Sequence, residues 1–398
     1  MEKTWRWFGK KDTIELVVLR QIGVEGIVTA LHHIQNGEIW PLEDILDLKN
    51  EIEKAGLRWS VVESLPVSEA IKYGGAERDL LIGNYIAGLE NLGKSGVKTV
   101  CYNFMPVIDW VRTDLDYQLE DGSYSLYFDR SKFIYFDLYI LERKDACKEY
   151  SEEDLRNALQ MHSSITEAER QKLIEAIIIK TQGFVNGNIT EKDLDPIAKF
   201  RQLLELYANV DKVVLRNNMK YFLQQVMPVC EKYGINMCVH PDDPPFPILG
   251  LPRIVTKQED IKWILNAVDH PCNGLTFCAG SLSALPQNNV AELAQEFAQR
   301  TSFVHLRSTE VKSNGDFVEA SHLEGRGSVI EVVRIFEKEK PNLPMRVDHG
   351  RLLRDDVGKK YNPGYSFLGR MLALGQMHGV IATVQNELAK KRNSGHKL

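Results

Sequence analysis

The sequence predicts an α/β protein closed into an eight-stranded (β/α)₈ barrel. Two observations carry that prediction. Short apolar runs alternate with longer amphipathic stretches, the pattern of βαβ units around a parallel sheet. Eight such runs are present, and no early one leads into the Gly-rich nucleotide loop that an open doubly wound sheet would carry.

The elements follow in order. Trp5–Phe8 is a short aromatic strand, and Asp12 stands as the N-cap of a helix through Ile14, Leu16, Val17, Leu19 and Ile22. Gly26–Leu31 is the second strand, followed by a helix from Pro41 through Ile52. Trp59–Glu63 and Thr99–Phe104 are the third and fourth strands. From 111 to 210 the regularity stops. This stretch is polar, with acidic caps such as Ser151-Glu152-Glu153, and reads as a mainly helical insertion between strands four and five, over the barrel mouth. Ile235–His240, Leu275–Cys278, Phe303–Arg307 and Met345–Asp348 supply strands five to eight, and helices are expected over 257–267, 290–300, 329–338 and 364–374. The Lys390–Gly395 tail reads as frayed. All 398 residues then form one catalytic domain.

Bulk composition narrows the function classes. Hydrophobic residues make up 43% and charged residues 26%, an ordinary globular balance, and the net charge of −6 offers no basic face for a nucleic-acid backbone. Six cysteines without a CxxC pair, no apolar leader and no apolar run of about 20 residues predict a cytoplasmic protein with reduced thiols and no membrane partner. The polar insertion suits a homodimer contact.

Barrel enzymes keep their chemistry at the C-terminal ends of strands. Strand five ends in His240, strand six in Cys278, strand seven carries His305 and Arg307, and strand eight ends in Asp348-His349. Two imidazoles, a thiol and a carboxylate on four successive strands form a ligand set for one divalent ion. Cys238, two residues before His240, is the rival sulfur, but it lies deeper in its strand. Arg307 shares a face with His305 and could orient a substrate carboxylate or merely close a rim ion pair. Arg6, His32, His33, Glu63, Tyr102 and Asn103, near the ends of strands one to four, are candidates to meet substrate hydroxyls. Trp7 and Phe8 read as packing.

Several of these segments resemble one family. Thr4-Trp5-Arg6-Trp7-Phe8-Gly9, Cys238-Val239-His240-Pro241-Asp242-Asp243-Pro244-Pro245, Phe277-Cys278-Ala279-Gly280-Ser281, Val304-His305-Leu306-Arg307, Asp348-His349-Gly350 and Asn362-Pro363-Gly364-Tyr365-Ser366 are similar, in this order, to the D-mannonate dehydratases. The resemblance implies a xylose-isomerase-like barrel and dehydration of D-mannonate, a sugar acid, to 2-keto-3-deoxy-D-gluconate in hexuronate catabolism. It also implies one Mn²⁺ or Fe²⁺ on His240, Cys278, His305 and Asp348, with His349 and Tyr365 transferring protons. Val347 and Arg351 depart from the family's pattern beside the Asp-His-Gly motif and touch no implied ligand.

The chemistry agrees with such a site. Removing a proton beside a carboxylate needs stabilisation of the growing negative charge, a base and an acid. A sugar isomerase on the same barrel would favour a carboxylate-rich pair of metals, whereas this rim offers one Asp and a Cys. A barrel endonuclease would need a basic surface. A non-catalytic sugar-acid binder would need no proton-transfer group beside the metal.

Overall fold

The computed structural model describes residues 1–182, 189, 190 and 192–395. Eight parallel strands close into a barrel: β1 (Glu2–Arg6), β2 (Gly26–Thr29), β3 (Arg58–Glu63), β4 (Thr99–Tyr102), β7 (Asn236–Val239), β8 (Asn273–Cys278), β9 (Thr301–Leu306) and β12 (Pro344–Val347). They follow chain order around the barrel, and β12 pairs with β1. All eight expected strands are present, and helices cover their outer faces.

Register positions the rim. Cys278 pairs with His305, and His305 pairs with Arg346, so three strand ends stand level. Arg346 and Asp348 alternate onto one face, as do His305 and Arg307. Beneath them Val28, Val61, Cys101 and Phe303 form a separate apolar plug, with Phe303 edge-on to His305 at 4.7 Å between ring centroids. The main apolar cluster lies between strands and helices. The barrel is thus a packed core with a charged upper end.

Three local expectations are corrected. Asp12 does not cap the first helix, which spans Leu16–Gln21. Its carboxylate instead accepts from the Phe8 and Ile14 backbone N–H groups and closes the loop leaving β1. The last helix runs Phe367–Gly395, well past Leu374 and through the supposed frayed tail. It continues because Ile381 and Val384 are buried, where an apolar stripe still has a core to meet.

The third concerns the insertion. Helices do fill much of it (Glu152–Ser164, Glu167–Ile174, Pro196–Glu205), but it opens with a hairpin, β5 (Asp114–Gln118) and β6 (Tyr124–Phe128). β6 pairs with β11 (Phe317–Glu319), which pairs with β10 (Thr309–Val311) from the loop after β9. A four-stranded cap sheet results, built from two segments nearly 200 residues apart. Alternation in Tyr124–Phe128 and Phe317–Glu319 is too short to announce it.

Candidate active site

Each donor at the rim is aimed by a partner behind it. His240 Nδ1 lies 2.7 Å from the Pro241 carbonyl, so it carries the hydrogen and Nε2 faces inward, 3.1 Å from His305 Nδ1. The far nitrogen of His305 lies 3.5 Å from the Glu63 carboxylate. Cys278 accepts from the Ser281 backbone N–H at 3.4 Å and the Ser281 hydroxyl at 3.2 Å. The inward atoms of His240, Cys278 and His305 all lie within 4.8 Å of one another, a group able to hold a metal ion. Asp348 Oδ2 is 3.8 Å from both Cys278 Sγ and His305 Nδ1. Donors sharing one ion at bonds of about 2.0–2.3 Å stand roughly 3–4 Å apart, so His240, Cys278 and His305 fit a single ion. Asp348 stands beside this group, outside the mutually close set, with its two oxygens held by Arg307 and Arg346. The anchored outer nitrogen of His240 is the arrangement seen behind metal-bound imidazoles, whereas His305 Nε2 has only the Glu63 charge nearby and no hydrogen bond among the described residues.

Electrostatics separates the two rival sulfurs. Burial opposes ionisation of Cys278, yet Arg307 and His240 hold its thiol well below the usual range. Cys238 hydrogen-bonds the carbonyl of Asn236 on its own strand, and burial pushes it up to about 12. Burial likewise disfavours a charged His240, but the Cys278 thiolate, Glu63 and Asp348 outweigh it and raise its pKa to about 9. For Asp348, burial is overcome by Arg346, His349 and Arg307, which keep the carboxylate ionised.

Around the donors lies a buried charge network. Arg307 donates to Asp348 at 2.9 Å, Glu319 at 2.6 Å, Asp243 at 2.7 Å and Ser281 at 2.9 Å. Arg112 donates to Asp243 at 2.8 Å and Glu319 at 2.6 Å. Arg346 holds Glu63 at 2.8 Å and also contacts Asp348. His349 Nδ1 is 2.9 Å from Glu319, its ring lies 4.9 Å from Trp110, and Tyr365 meets it edge-on at 5.3 Å.

An inner cavity of about 60 Å³ is lined by Arg6, Glu63, Asn103, Asp109, His240, Arg307, Asp348, His349 and Tyr365 among others. Arg6, Ser64 and Tyr365 are shared with an outer cavity of about 910 Å³ at the mouth, to which insertion residues Thr190, Asp193 and Lys199 also contribute.

Comparison with known proteins decides the family. The family described as D-mannonate dehydratase (UxuA) matches residues 1–391. The chain belongs to the D-mannonate dehydratase family. It is accordingly a hydro-lyase. The mannonate dehydratase of Marinomonas sp. (strain MWYL1) is 45% identical over 390 residues, covering 96% of this chain and 98% of that one. The mannonate dehydratase structure from Streptococcus suis serotype 2 superposes with a TM-score of 0.77 at 33% identity, over 98% of this chain and 95% of that one. A xylose isomerase domain protein from Alicyclobacillus acidocaldarius shares the fold at a TM-score of 0.50 and 10% identity, over 96% and 99% of the two chains. The xylose-isomerase-like barrel is thereby established, and among the described residues no helix is long and apolar enough to cross a membrane.

Within this dehydratase scaffold the other candidate residues take different places. Arg307 does not present a free guanidinium to substrate, because its donors are spent on Asp348, Glu319, Asp243 and Ser281. His33 is exposed, pairs with Asp44 at 2.8 Å and lines only the outer cavity, as does His32. Tyr102 turns outward against Phe222 of the Lys212–Tyr233 helix, away from the mouth. Glu63 reaches the inner cavity but is engaged by Arg346, with Arg6 3.6 Å away. Phe8 packs on Tyr365 and also walls the mouth. Arg112, Asp243, Glu319, Arg346 and Trp110 escaped sequence reasoning. Only Asp243, three residues beyond His240 in a run already notable, carried a signal there.

Proposed function

We propose that this enzyme dehydrates D-mannonate to 2-keto-3-deoxy-D-gluconate, using one Mn²⁺ or Fe²⁺ held by His240, Cys278, His305 and Asp348. The carrying observation is the convergence of two imidazole nitrogens and a thiolate within 4.8 Å of one another beside a small cavity that His349 also lines. The substrate named by the chain's relatives supports the choice of acid. Hexuronate breakdown in the cytoplasm is the setting that fits that reaction, and the six free cysteines accord with it.

Charge complementarity supports an anionic substrate. Within the paired network four guanidiniums, Arg6, Arg112, Arg307 and Arg346, balance four carboxylates, Glu63, Asp243, Glu319 and Asp348, while burial pushes up the pKa of the further carboxyl in the cavity lining, Asp109. A dication against the Cys278 thiolate then leaves one net positive charge for one sugar-acid carboxylate. When bound, the ion supplies Lewis-acid stabilisation of the negative charge that builds beside that carboxylate.

The chain's own groups do the rest. Arg6, whose Nη1 makes no hydrogen bond among the described residues, is the guanidinium available to the carboxylate. Asn103 offers an amide to a hydroxyl. His349 Nε2 takes the C2 proton. Burial, opposed by Arg346 and reinforced by Asp348 and Glu63, pushes Tyr365 upward and keeps it a phenol, suited to donate to the departing C3 hydroxyl. The reactive end fills the inner cavity and the distal hydroxyls extend towards Ser64 and the mouth. Two copies joined through the insertion would complete the assembly.

The test is turnover of chelated protein after adding Mn²⁺ or Fe²⁺, read as 2-keto acid from a hexonate panel. Metal-restored 2-keto acid from D-mannonate is expected. Isomerised sugar without water loss, or binding without turnover, would overturn the reading.

A further inference from the structure

We infer that Glu319, from the cap sheet, is the positioning residue for His349, fixing both its ring orientation and which nitrogen carries hydrogen. The inference rests on the proton-transfer role proposed for His349. Glu319 is 4% exposed and ends β11, outside the barrel. Its Oε1 meets His349 Nδ1 at 2.9 Å, Arg112 Nη2 at 2.6 Å and Arg307 Nη1 at 2.6 Å. Burial resists its charge, but Arg307, His349 and Arg112 hold the carboxyl below its usual range. An ionised carboxylate only accepts, so Nδ1 must be the donor.

That leaves Nε2 with the lone pair. It is also the nitrogen on the Asp348 side, 3.8 Å from Oδ1. The ring has no freedom to swap ends, because Trp110 lies 4.9 Å away and Tyr365 meets it edge-on. The two guanidiniums immobilise Glu319 in turn. A carboxylate behind an imidazole, itself pinned by charges, keeps the reactive nitrogen aimed without touching substrate.

Glu319→Gln in the Mn²⁺-loaded full chain keeps the volume but lets an amide N–H face Nδ1. We expect kcat to fall about 10²-fold, with KM within about threefold and metal content unchanged. In a His349→Asn background the same substitution should add nothing. Unchanged kcat, or an equal further loss in that background, overturns the proposal. Should Glu319→Gln fail to fold, ring-¹⁵N spectra of histidine-labelled wild type decide it, with the His349 signal assigned by its disappearance in His349→Asn. The Nδ1–H form supports the proposal and the Nε2–H form overturns it. If His349→Asn keeps turnover, the role of His349 falls, while the spectrum still reports on Glu319.

Discussion

The barrel rim and the cap sheet above it build the same site by different means. At the rim every donor sits at the end of a strand whose neighbours hold it in register, so His305 pairs with Arg346 and Cys278 with His305 along the backbone ladder. The cap has no such ladder to the barrel. Apart from isolated backbone bridges such as Tyr124–Leu352, its groups meet the rim through buried charges, with Arg112 and Glu319 clasping Asp243 and Arg307. Backbone register is inherited from the fold, whereas charge clasps depend on individual side chains. Substitutions in the two regions should therefore fail differently: rim changes lose the ion, and cap changes lose alignment or stability.

The largest effect belongs to the rim. Cys278→Ala removes the only ionised sulfur among the donors and leaves the His240 and Arg307 charges facing an empty space. Metal analysis should find the ion lost and turnover should vanish; a variant that keeps both would show that the thiolate is not a donor. On the cap side, Arg112→Met strips the guanidinium from two buried carboxylates. Arg307 still holds both carboxylates, but the buried cluster is left one positive charge short. Removing one partner from a buried charge pair costs about 3–5 kcal/mol, so denaturant unfolding should shift by up to that much while bound metal stays near stoichiometric. Metal loss at unchanged stability would reverse the contrast drawn between the regions.

The same contrast explains what the sequence disclosed. The convergence of His240, Cys278 and His305 was legible because strand ends recur at predictable places and these residue types share one chemistry; Asp348 was placed at the same rim, but its engagement by Arg307 and Arg346 was not. Arg307 was found with two roles open, since period two places it on the right face without saying that Glu319 and Asp243 would take up its donors. Glu319 and Arg112 were invisible. Their partners lie 207 positions apart, in strands only a few residues long, and no local pattern records which distant carboxylate meets which guanidinium. Glu63 and Arg6 were placed correctly near the mouth, yet their mutual pairing emerges only when β1 and β3 flank the same end of the barrel.

A pH effect of intermediate size sharpens the cap's part. His322, just after β11, is 5% exposed, and its Nε2 has no hydrogen-bond partner among the described residues. Burial lowers its pKa to about 4, only partly offset by Asp348 and Glu319. Between that value and the unfolded value near 6.5 the unfolded chain binds more protons, so stability rises with pH. Full stability is present above about pH 6.5, and about 3 kcal/mol is lost by pH 4. His322→Asn should flatten that slope in unfolding measured across the window; a slope unchanged by the substitution would mean another group titrates there.

The smallest effect belongs to the exposed edge between the two regions. Arg351, after β12, donates to Asp121 at the tip of the β5–β6 hairpin at 2.8 Å, with Asp121 itself 55% exposed. The geometry is good, but water screens both groups and two side chains must be ordered to make the contact. A double-mutant cycle on Arg351→Ala and Asp121→Ala should return a coupling of about 0–1 kcal/mol, shrinking further in 1 M salt. The backbone already ties this edge together, since Tyr124 and Leu352 exchange two hydrogen bonds at 3.0 and 2.8 Å. A coupling as large as that of the buried Arg112 clasp would mean that the surface pair, and not the interior charges, docks the cap onto the barrel.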